Sequence, residues 1–389
     1  MLTLSGKVIQ VSSAASTKLR QLFVLSTKAN LPRVLREDRA FLITGDDAIP
    51  GGFSHYLAFE QRPDGLPEGA QCTIIGRQFD YLGEDDIVAI TSDGRIRSLY
   101  RANSPHNSVL LTEQCNNYCL MCSQPPKNVD DRWLLDEAKE LVRLIPRHTA
   151  RVMCITGGEP TLFGDGFVDL VQDFKSYLPH TALHILSNGR NFADVAFAQK
   201  YAGVKHPDVM VGIPVYSADP ARHDYVVQSK GAFDETIRGI LNLKQLGQRV
   251  EIRVVVHKQT CDSLPALAEF ISRNLLFVDQ VALMGLEMTG FTRANLDALW
   301  IDPIEYKDKL SEAVQILESY RMPVSVYNHP LCLVNPDVEK VYVRSISDWK
   351  NEFASECEPC SRKHECGGFF SSGIRHGYSQ SIKPFIGQK

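Results

Sequence analysis

The stretch CNNYCLMCSQPPK, from Cys115 to Lys127, decides the fold because it gathers three thiols directly after the apolar run VLLT. These thiols are Cys115, Cys119 and Cys122, in a C-x3-C-x2-C spacing. Thiolates are soft ligands that prefer zinc, Cu(I) or iron–sulfur clusters. A structural zinc ion takes four protein ligands, whereas a [4Fe-4S] cluster held by three cysteines leaves one iron open to an exogenous ligand. We therefore favour a cluster, and a zinc ion completed by a distant residue is the alternative.

The sequence around this stretch, from about 108 to 300, alternates between short apolar runs and helical patterns. The six runs are VLLT, RVMCIT, ALHILS, DVMVGI, VEIRVVV and DQVALMGL. The helical pattern after the first run has apolar residues at i, i+3, i+4 and i+7, namely Ala138, Leu141, Val142 and Ile145. Strand, helix, strand at this spacing predicts βαβ units and a parallel sheet. The prediction for 101–300 is an α/β fold, a partial (βα)6 barrel whose active face lies where strands end.

The second run leads directly into Gly157-Gly158-Glu159. Two glycines let a backbone approach a ligand closely, and Glu159 offers a carboxylate to a cation at the mouth of the barrel. A plain strand-to-helix turn with a solvated glutamate is the alternative. One βα unit after the cysteines, the combination favours a binding function.

Together, CNNYCLMC and TGGEP resemble the radical S-adenosylmethionine (SAM) superfamily. The resemblance implies that the three cysteines hold a [4Fe-4S] cluster and that Gly157, Gly158 and Glu159 bind the methionine end of SAM. It also implies an enzyme that cleaves SAM reductively, with an external electron donor, into methionine and a 5′-deoxyadenosyl radical. No catalytic side chain beyond the cluster and SAM is assigned.

Further SAM contacts are predicted after later strands. Ser187 and Asn188 follow the third run, and Ser217 follows the fourth; each resembles a family element that could bind the ribose hydroxyls. A turn is the alternative for Asn188. Arg253 lies inside an apolar run, where it needs a partner. The SAM carboxylate is one candidate, and a buried structural salt bridge is the alternative.

A second group of cysteines lies near the end of the chain. Its members are Cys332, Cys357, Cys360 and Cys366. Four cysteines satisfy a structural zinc ion, but the C-x2-C-x5-C spacing resembles the SPASM extension of radical SAM peptide maturases. That extension usually has a further cysteine where this chain has Phe370, so we expect one auxiliary [4Fe-4S] cluster held by all four thiols. His364 is a possible substitute ligand.

The flanking regions and the composition complete the predicted organisation. Residues 1–100 read as a β-rich domain, a small barrel or sandwich, and 301–389 as the C-terminal auxiliary-cluster extension. The net charge of -4 and the pI of about 6.3 give no attraction to nucleic acid. No run is long enough to span a membrane and no signal peptide is recognisable, so we expect a cytoplasmic protein. Ten cysteines in a reducing compartment favour metal binding over disulfides.

The whole layout, and CLMCSQPP above all, resembles the His-Xaa-Ser system radical SAM maturases (HxsC-like). This resemblance implies a ribosomally synthesised peptide with His-Xaa-Ser repeats (a RiPP precursor) as substrate and a sister radical SAM maturase as partner. Two alternatives stay open. One is a radical SAM enzyme acting on a small molecule or RNA, and the other is a non-catalytic metal-binding scaffold or redox sensor.

Overall fold

The computed structural model describes residues 3–11, 20–45, 48–344 and 352–387. Parts of the predicted N-terminal domain and of the C-terminal extension therefore lie outside the described residues. The chain divides into two compact units. The first comprises 1–109, 136–153 and 173–181, and the second comprises 110–135, 154–172 and 182–389.

The first unit contains an eight-stranded mixed sheet. Its strands are β1 (Ser5–Lys7), β2 (Gln10–Val11), β3 (Arg20–Ser26), β4 (Arg39–Leu42), β5 (His55–Phe59), β6 (Cys72–Ile75), β7 (Ile87–Thr91) and β8 (Arg95–Tyr100). They are arranged in the order β1-β8-β7-β3-β4-β5-β6-β2. Neighbours from β3 to β6 are parallel, and the remaining pairs are antiparallel.

This sheet closes on itself. β1 and β2 stand at opposite ends of the strand order, although only Val8 and Ile9 separate them in the chain. The amide of Val8 donates to the carbonyl of Gly94, just before β8, and the amide of Ile9 donates to Ile74 in β6. One extended segment thus bridges both edges, which leaves few unpaired strand groups. The β-rich domain predicted from the sequence is a small barrel with a buried interior of Phe23, Leu25, Leu42, Leu57, Ile75, Val88 and Ile96.

The second sheet has seven strands in chain order. They are β9 (Asn107–Leu110), β10 (Val152–Thr156), β11 (Ala182–Leu186), β12 (Val209–Pro214), β13 (Arg249–Val256), β14 (Gln280–Gly285) and β15 (Val324–Tyr327). Each neighbouring pair from β11 to β15 is parallel. A strand order without reversal is typical of barrels and excludes a doubly wound sheet, which has a switch point. The predicted partial barrel is confirmed, and the structure adds a seventh strand, β15, beyond the six predicted.

Helices connect these strands and follow them. They are α1 (Trp133–Leu144), α2 (Asp165–Tyr177), α3 (Val195–Gly203), α4 (Pro220–Val227), α5 (Ala232–Gln245), α6 (Leu264–Asn274), α7 (Phe291–Ala294), α8 (Leu296–Leu299), α9 (Pro303–Ser319) and α10 (Ser371–His376). Local signals set several of their ends. Gly247, just past α5, has φ +71, and Asp302 with Glu305 forms a capping box at the start of α9. Among the described residues, no helix combines the length and apolarity needed to cross a membrane.

Candidate functional site

The three early cysteines lie in the loop that follows β9, and each is partly buried. Burial, with smaller contributions from Glu159 and Cys122, raises the pKa of the Cys115 thiol to about 11. Burial also raises the pKa of Cys119, with added contributions from Cys122 and Cys115. These thiols are therefore close enough to affect one another's ionisation. A coordinated metal holds thiols as thiolates and relieves this cost, so the donor set fits an iron–sulfur cluster.

The cysteine loop is held by backbone hydrogen bonds to neighbouring loops. The amides of Tyr118 and Leu120 donate to Val227 and Val226 at the end of α4, over 3.0 and 2.9 Å. On the other side, the amide of Phe291 donates to the carbonyl of Cys122 over 2.8 Å. The spacing of the thiols is thus fixed by the fold around them and not only by the loop itself.

The glycine pair that follows β10 lies directly against the start of the cysteine loop. The amide of Gly158 donates to Thr112 and that of Glu159 donates to Gln114, both over 2.7 Å. A Cβ atom on Gly158 would lie 2.0 Å from the carbonyl oxygen of Gln114, and one on Gly157 would lie 2.7 Å from that of Thr112. Two glycines are needed because the chain's own backbone approaches this closely, a contact that the sequence did not reveal.

The carboxylate of Glu159 lies inside the protein, fully buried. It accepts hydrogen bonds from the amides of Thr161 (3.0 Å) and Asn188 (2.6 Å) and from the hydroxyls of Thr161 and Ser187 (2.8 Å to the latter). Burial raises the pKa of this carboxyl, while the four donors act in the opposite direction. In this structure Glu159 joins the ends of β10 and β11, whereas the sequence suggested a carboxylate facing a bound cation.

The remaining predicted SAM contacts lie in different surroundings. The side-chain amide of Asn188 donates to Asn116 in the cysteine loop over 2.6 Å, so the end of β11 belongs to the same hydrogen-bonded site. The hydroxyl of Ser217 is buried and accepts a bond from the amide of Asp219 at the start of α4. Arg253 has an ion pair with the buried Glu251 at 2.6 Å, which is the structural salt bridge kept as the alternative.

Two residues at this site carried no motif in the sequence. Arg190 donates from one guanidinium nitrogen to the carbonyl of Asn116 and to the side chain of Asn117, each over 2.6 Å, and so braces the cysteine loop. Tyr216, two residues after β12, packs in a buried cluster with Met121. Burial raises the pKa of this phenol, and Cys119 and Cys122 raise it further. The position of Tyr216 just before Ser217 was the only available signal.

The four late cysteines line one cavity in the C-terminal part of the second unit. They are Cys332, Cys357, Cys360 and Cys366. The thiol sulfur of Cys366 lies 3.3 Å from the amide nitrogens of both Leu331 and Gly368, which donate to it. Within the described residues, no three Cys, His, Asp or Glu side chains form a group that would hold a single metal ion. The side chain of His364 is 76% exposed beside Glu365 and does not line this cavity.

Residues 109–271 match the family model of the Radical SAM superfamily. The matched range contains the cysteine loop, the glycine pair, Glu159 and the strand ends from β10 to β13. The superfamily that the sequence resembles is therefore the one whose model matches this part of the chain.

Curated relatives are similar to part of the chain. A GTP 3′,8-cyclase from Actinobacillus succinogenes is 30% identical over 171 residues, covering 42% of this chain and 48% of that protein. Mycofactocin maturase MftC from Mycolicibacterium smegmatis is 29% identical over 165 residues, covering 42% of this chain and 40% of that protein. The chain thus spans about half, or less, of the length of these relatives. Among solved structures, Streptococcus suis SuiB bound to S-adenosylmethionine is 14% identical with a TM-score of 0.47, covering 58% of this chain and 51% of that chain.

Proposed function

We propose that the protein is a radical SAM enzyme that modifies a ribosomally synthesised peptide. The observation that carries the first part is the convergence of three thiols, the glycine pair and the ends of β10 and β11 in one hydrogen-bonded site. That site lies within the range matched by the superfamily model. A non-catalytic metal-binding scaffold is the alternative, and it predicts a zinc ion and no affinity for SAM.

In this proposal Cys115, Cys119 and Cys122 hold the SAM-binding [4Fe-4S] cluster. The residues proposed to contact SAM are Gly157, Gly158, Glu159, Ser187, Asn188, Ser217 and Arg253. When bound, the cluster and SAM supply a 5′-deoxyadenosyl radical that removes an unactivated hydrogen. The surrounding residues would orient the reacting groups and exclude water from them. Arg190 and Asn188 fix the cysteine loop from one side, and Phe291 fixes it from the other.

The second cysteine group is proposed to hold one auxiliary [4Fe-4S] cluster. Four thiols around one cavity satisfy such a cluster without His364, and two backbone amides already donate to Cys366. A structural zinc ion remains the alternative that four cysteines allow, although the described side chains do not form a site for a single metal ion in this structure.

The proposal of a peptide substrate is supported by the sequence resemblance to His-Xaa-Ser system maturases. It is also supported by a curated relative that is named a mycofactocin maturase. A sister maturase and an external electron donor belong to this proposal as partners. A small-molecule substrate is the second candidate, because several curated relatives are GTP 3′,8-cyclases by name. The net charge of -4 disfavours RNA.

The test is reconstitution with iron and sulfide under anaerobic conditions, followed by reduction with dithionite and assay of 5′-deoxyadenosine from SAM. Wild-type protein should form 5′-deoxyadenosine, Cys115→Ala should fall to the background, and Cys360→Ala should keep part of the cleavage because its cluster is auxiliary. Adding a peptide with His-Xaa-Ser repeats, or GTP, in parallel separates the two candidate substrates, with the peptide followed by its mass and GTP by chromatography, since a cyclised GTP can be an isomer of unchanged mass. Retained cleavage in Cys115→Ala would overturn the ligand assignment.

A further inference from the structure

A separate cavity opens at the carboxyl ends of β13, β14 and β15. One wall consists of Val256, Gly285 and Asn328 at these strand ends, and the other is formed by residues between 367 and 379. None of the seven cysteines assigned above lines it. The carboxyl ends of barrel strands are where ligands bind, so this cavity lies on the functional face.

The lining of this cavity is aromatic and almost uncharged. Five rings contribute to it, those of Trp300, Tyr306, Phe369, Phe370 and Tyr378. Among the described residues that line it, Arg344 is the one with a formal charge. Aromatic side chains favour other rings in offset or edge-on contact, beyond the burial of apolar surface.

The polar groups behind this lining are neutral and already partnered. Nδ1 of His329 lies 2.7 Å from the carbonyl oxygen of Tyr327, so we assign the ring proton to Nδ1. The Tyr306 hydroxyl then donates to Nε2 of His329 over 2.9 Å. Burial lowers the pKa of His329 to about 4, which keeps the imidazole neutral. Tyr306 therefore lines the cavity with an aromatic ring. The proton of its hydroxyl is already used in the hydrogen bond to His329.

The volume of the cavity is about 80 Å³. A single water needs roughly 10–15 Å³ on the same measure, so the space suits several waters or one side chain. A nucleoside triphosphate would bring several negative charges to one guanidinium, which leaves most of them without a counter-charge. Size and charge both favour a single uncharged ring.

We propose that this cavity binds one aromatic side chain of the peptide substrate and so selects the segment presented at the barrel mouth. The inference rests on the proposed function and extends it by naming the class of residue recognised. Pro330, Gly368 and Phe369 line both this cavity and the one with the late cysteines. A ring held here would therefore lie beside the proposed auxiliary cluster.

Two glycines offer a matched pair of substitutions. A Cβ atom on Gly373, in α10, would meet only the Cβ of Phe369 at 4.0 Å, so a larger side chain there can extend without striking the backbone. Gly373 lines the cavity. Gly203, at the end of α3, has nothing within 4 Å of its Cβ position and is exposed, and it does not line the cavity.

The test is ligand-observed NMR on the full chain with N-acetyl-phenylalanine amide, N-acetyl-glutamate amide and GTP as probes. The phenylalanine probe should bind wild type and Gly203→Leu equally, and its binding should weaken tenfold or more in Gly373→Leu. If thermal unfolding shows that Gly373→Leu does not fold, Trp300→Ala is measured instead. Its binding of the phenylalanine probe should also weaken tenfold or more. The proposal would be overturned if the phenylalanine probe bound Gly373→Leu as well as wild type, or did not bind wild type. Preferential binding of GTP or the glutamate probe would also overturn it.

The same wild-type preparation is assayed for 5′-deoxyadenosine, which separates the two levels of inference. SAM cleavage without binding of the aromatic probe overturns the cavity assignment alone. Binding of the aromatic probe without any SAM cleavage contradicts the proposed function and leaves the cavity as an aromatic-binding site.

Discussion

The two cysteine groups are assembled in different ways. The first places three thiols within one short loop, between Cys115 and Cys122, and the surrounding strand ends hold that loop. The second gathers four thiols from a much longer segment, between Cys332 and Cys366, around a cavity. The first group can therefore be recognised from the spacing of its cysteines alone. The geometry of the second group depends on contacts between segments that are distant in the chain.

Those contacts differ in chemistry. At the first group a buried carboxylate, that of Glu159, accepts bonds from two neighbouring chain segments. At the second group a neutral phenol has the corresponding role. The Tyr342 hydroxyl donates to the carbonyl of His329 over 2.6 Å and accepts from the amide of Gly367 over 2.8 Å. Tyr342 thereby joins the segments that carry Cys332 and Cys366.

The largest effect is expected from Gly158→Ala, which acts on the first group only. The added methyl would lie 2.0 Å from the carbonyl oxygen of Gln114, so the end of β10 must move away from the cysteine loop. We expect loss of the SAM-binding cluster and of 5′-deoxyadenosine formation, with the iron of the second group retained. Iron analysis and the SAM cleavage assay measure this.

Gly203→Ala is the matched control for that change, since nothing lies within 4 Å of its Cβ position. Its free energy of unfolding should stay within about 0.5 kcal/mol of wild type. Full cluster content in Gly158→Ala would show that the close approach at the glycine pair does not shape the first site.

An intermediate effect is expected from Tyr342→Phe, which acts on the second group only. The variant loses two partly buried hydrogen bonds, at about 0.5–1.5 kcal/mol each. We expect faster loss of metal from the second site in a chelator challenge, with SAM cleavage at the first site maintained. Tyr378→Phe is the control, because its hydroxyl bonds Glu356 at the exposed surface. Equal metal loss in both variants would refute the role given to Tyr342.

The smallest effect is a pH dependence at Glu159. Burial raises the pKa of this carboxyl above its ordinary 4.5, so the folded protein binds the proton more tightly than the unfolded chain. The stability that this group contributes is therefore present at low pH and falls as pH rises above 4.5, by about 1.4 kcal/mol for each pKa unit of the raise. Glu159→Gln does not titrate, so the difference in unfolding free energy, wild type minus variant, should fall between pH 4.5 and 7.

Chemical denaturation of both proteins across this pH range measures that difference. A difference that grows with pH would mean that the donors from Thr161, Ser187 and Asn188 outweigh burial and hold the group as a carboxylate. The buried charge would then be a stabilising feature of the first group that the second group lacks.

The sequence predicted those features of the fold and the site that depend on residues close together in the chain. The thiol spacing, the glycine pair and the helix between Trp133 and Leu144 could be predicted because each depends on a few adjacent residues. The closure of the N-terminal sheet by residues 5–11 was not, since it depends on pairing with β8 and β6 far along the chain. The same holds for the addition of β15 to the barrel.

The same distinction applies to the candidate site, where residues of local motifs were predicted and their distant partners were not. Glu159 was recognisable as a motif residue, but two of its four hydrogen bonds come from Ser187 and Asn188, which follow the next strand and which no spacing indicates. Arg190 was missed because its target is a backbone carbonyl in another loop. The ion pair between Arg253 and Glu251, two residues away on the same strand, could be identified only from the side-chain geometry.

The measurement closest to the central claim is the electron paramagnetic resonance spectrum of reduced, reconstituted protein with and without SAM. The account predicts an iron–sulfur signal that SAM alters in wild type and in Cys360→Ala, and no SAM-sensitive signal in Cys119→Ala. About one zinc ion per chain at the three-cysteine loop, with no signal that responds to SAM, would contradict it.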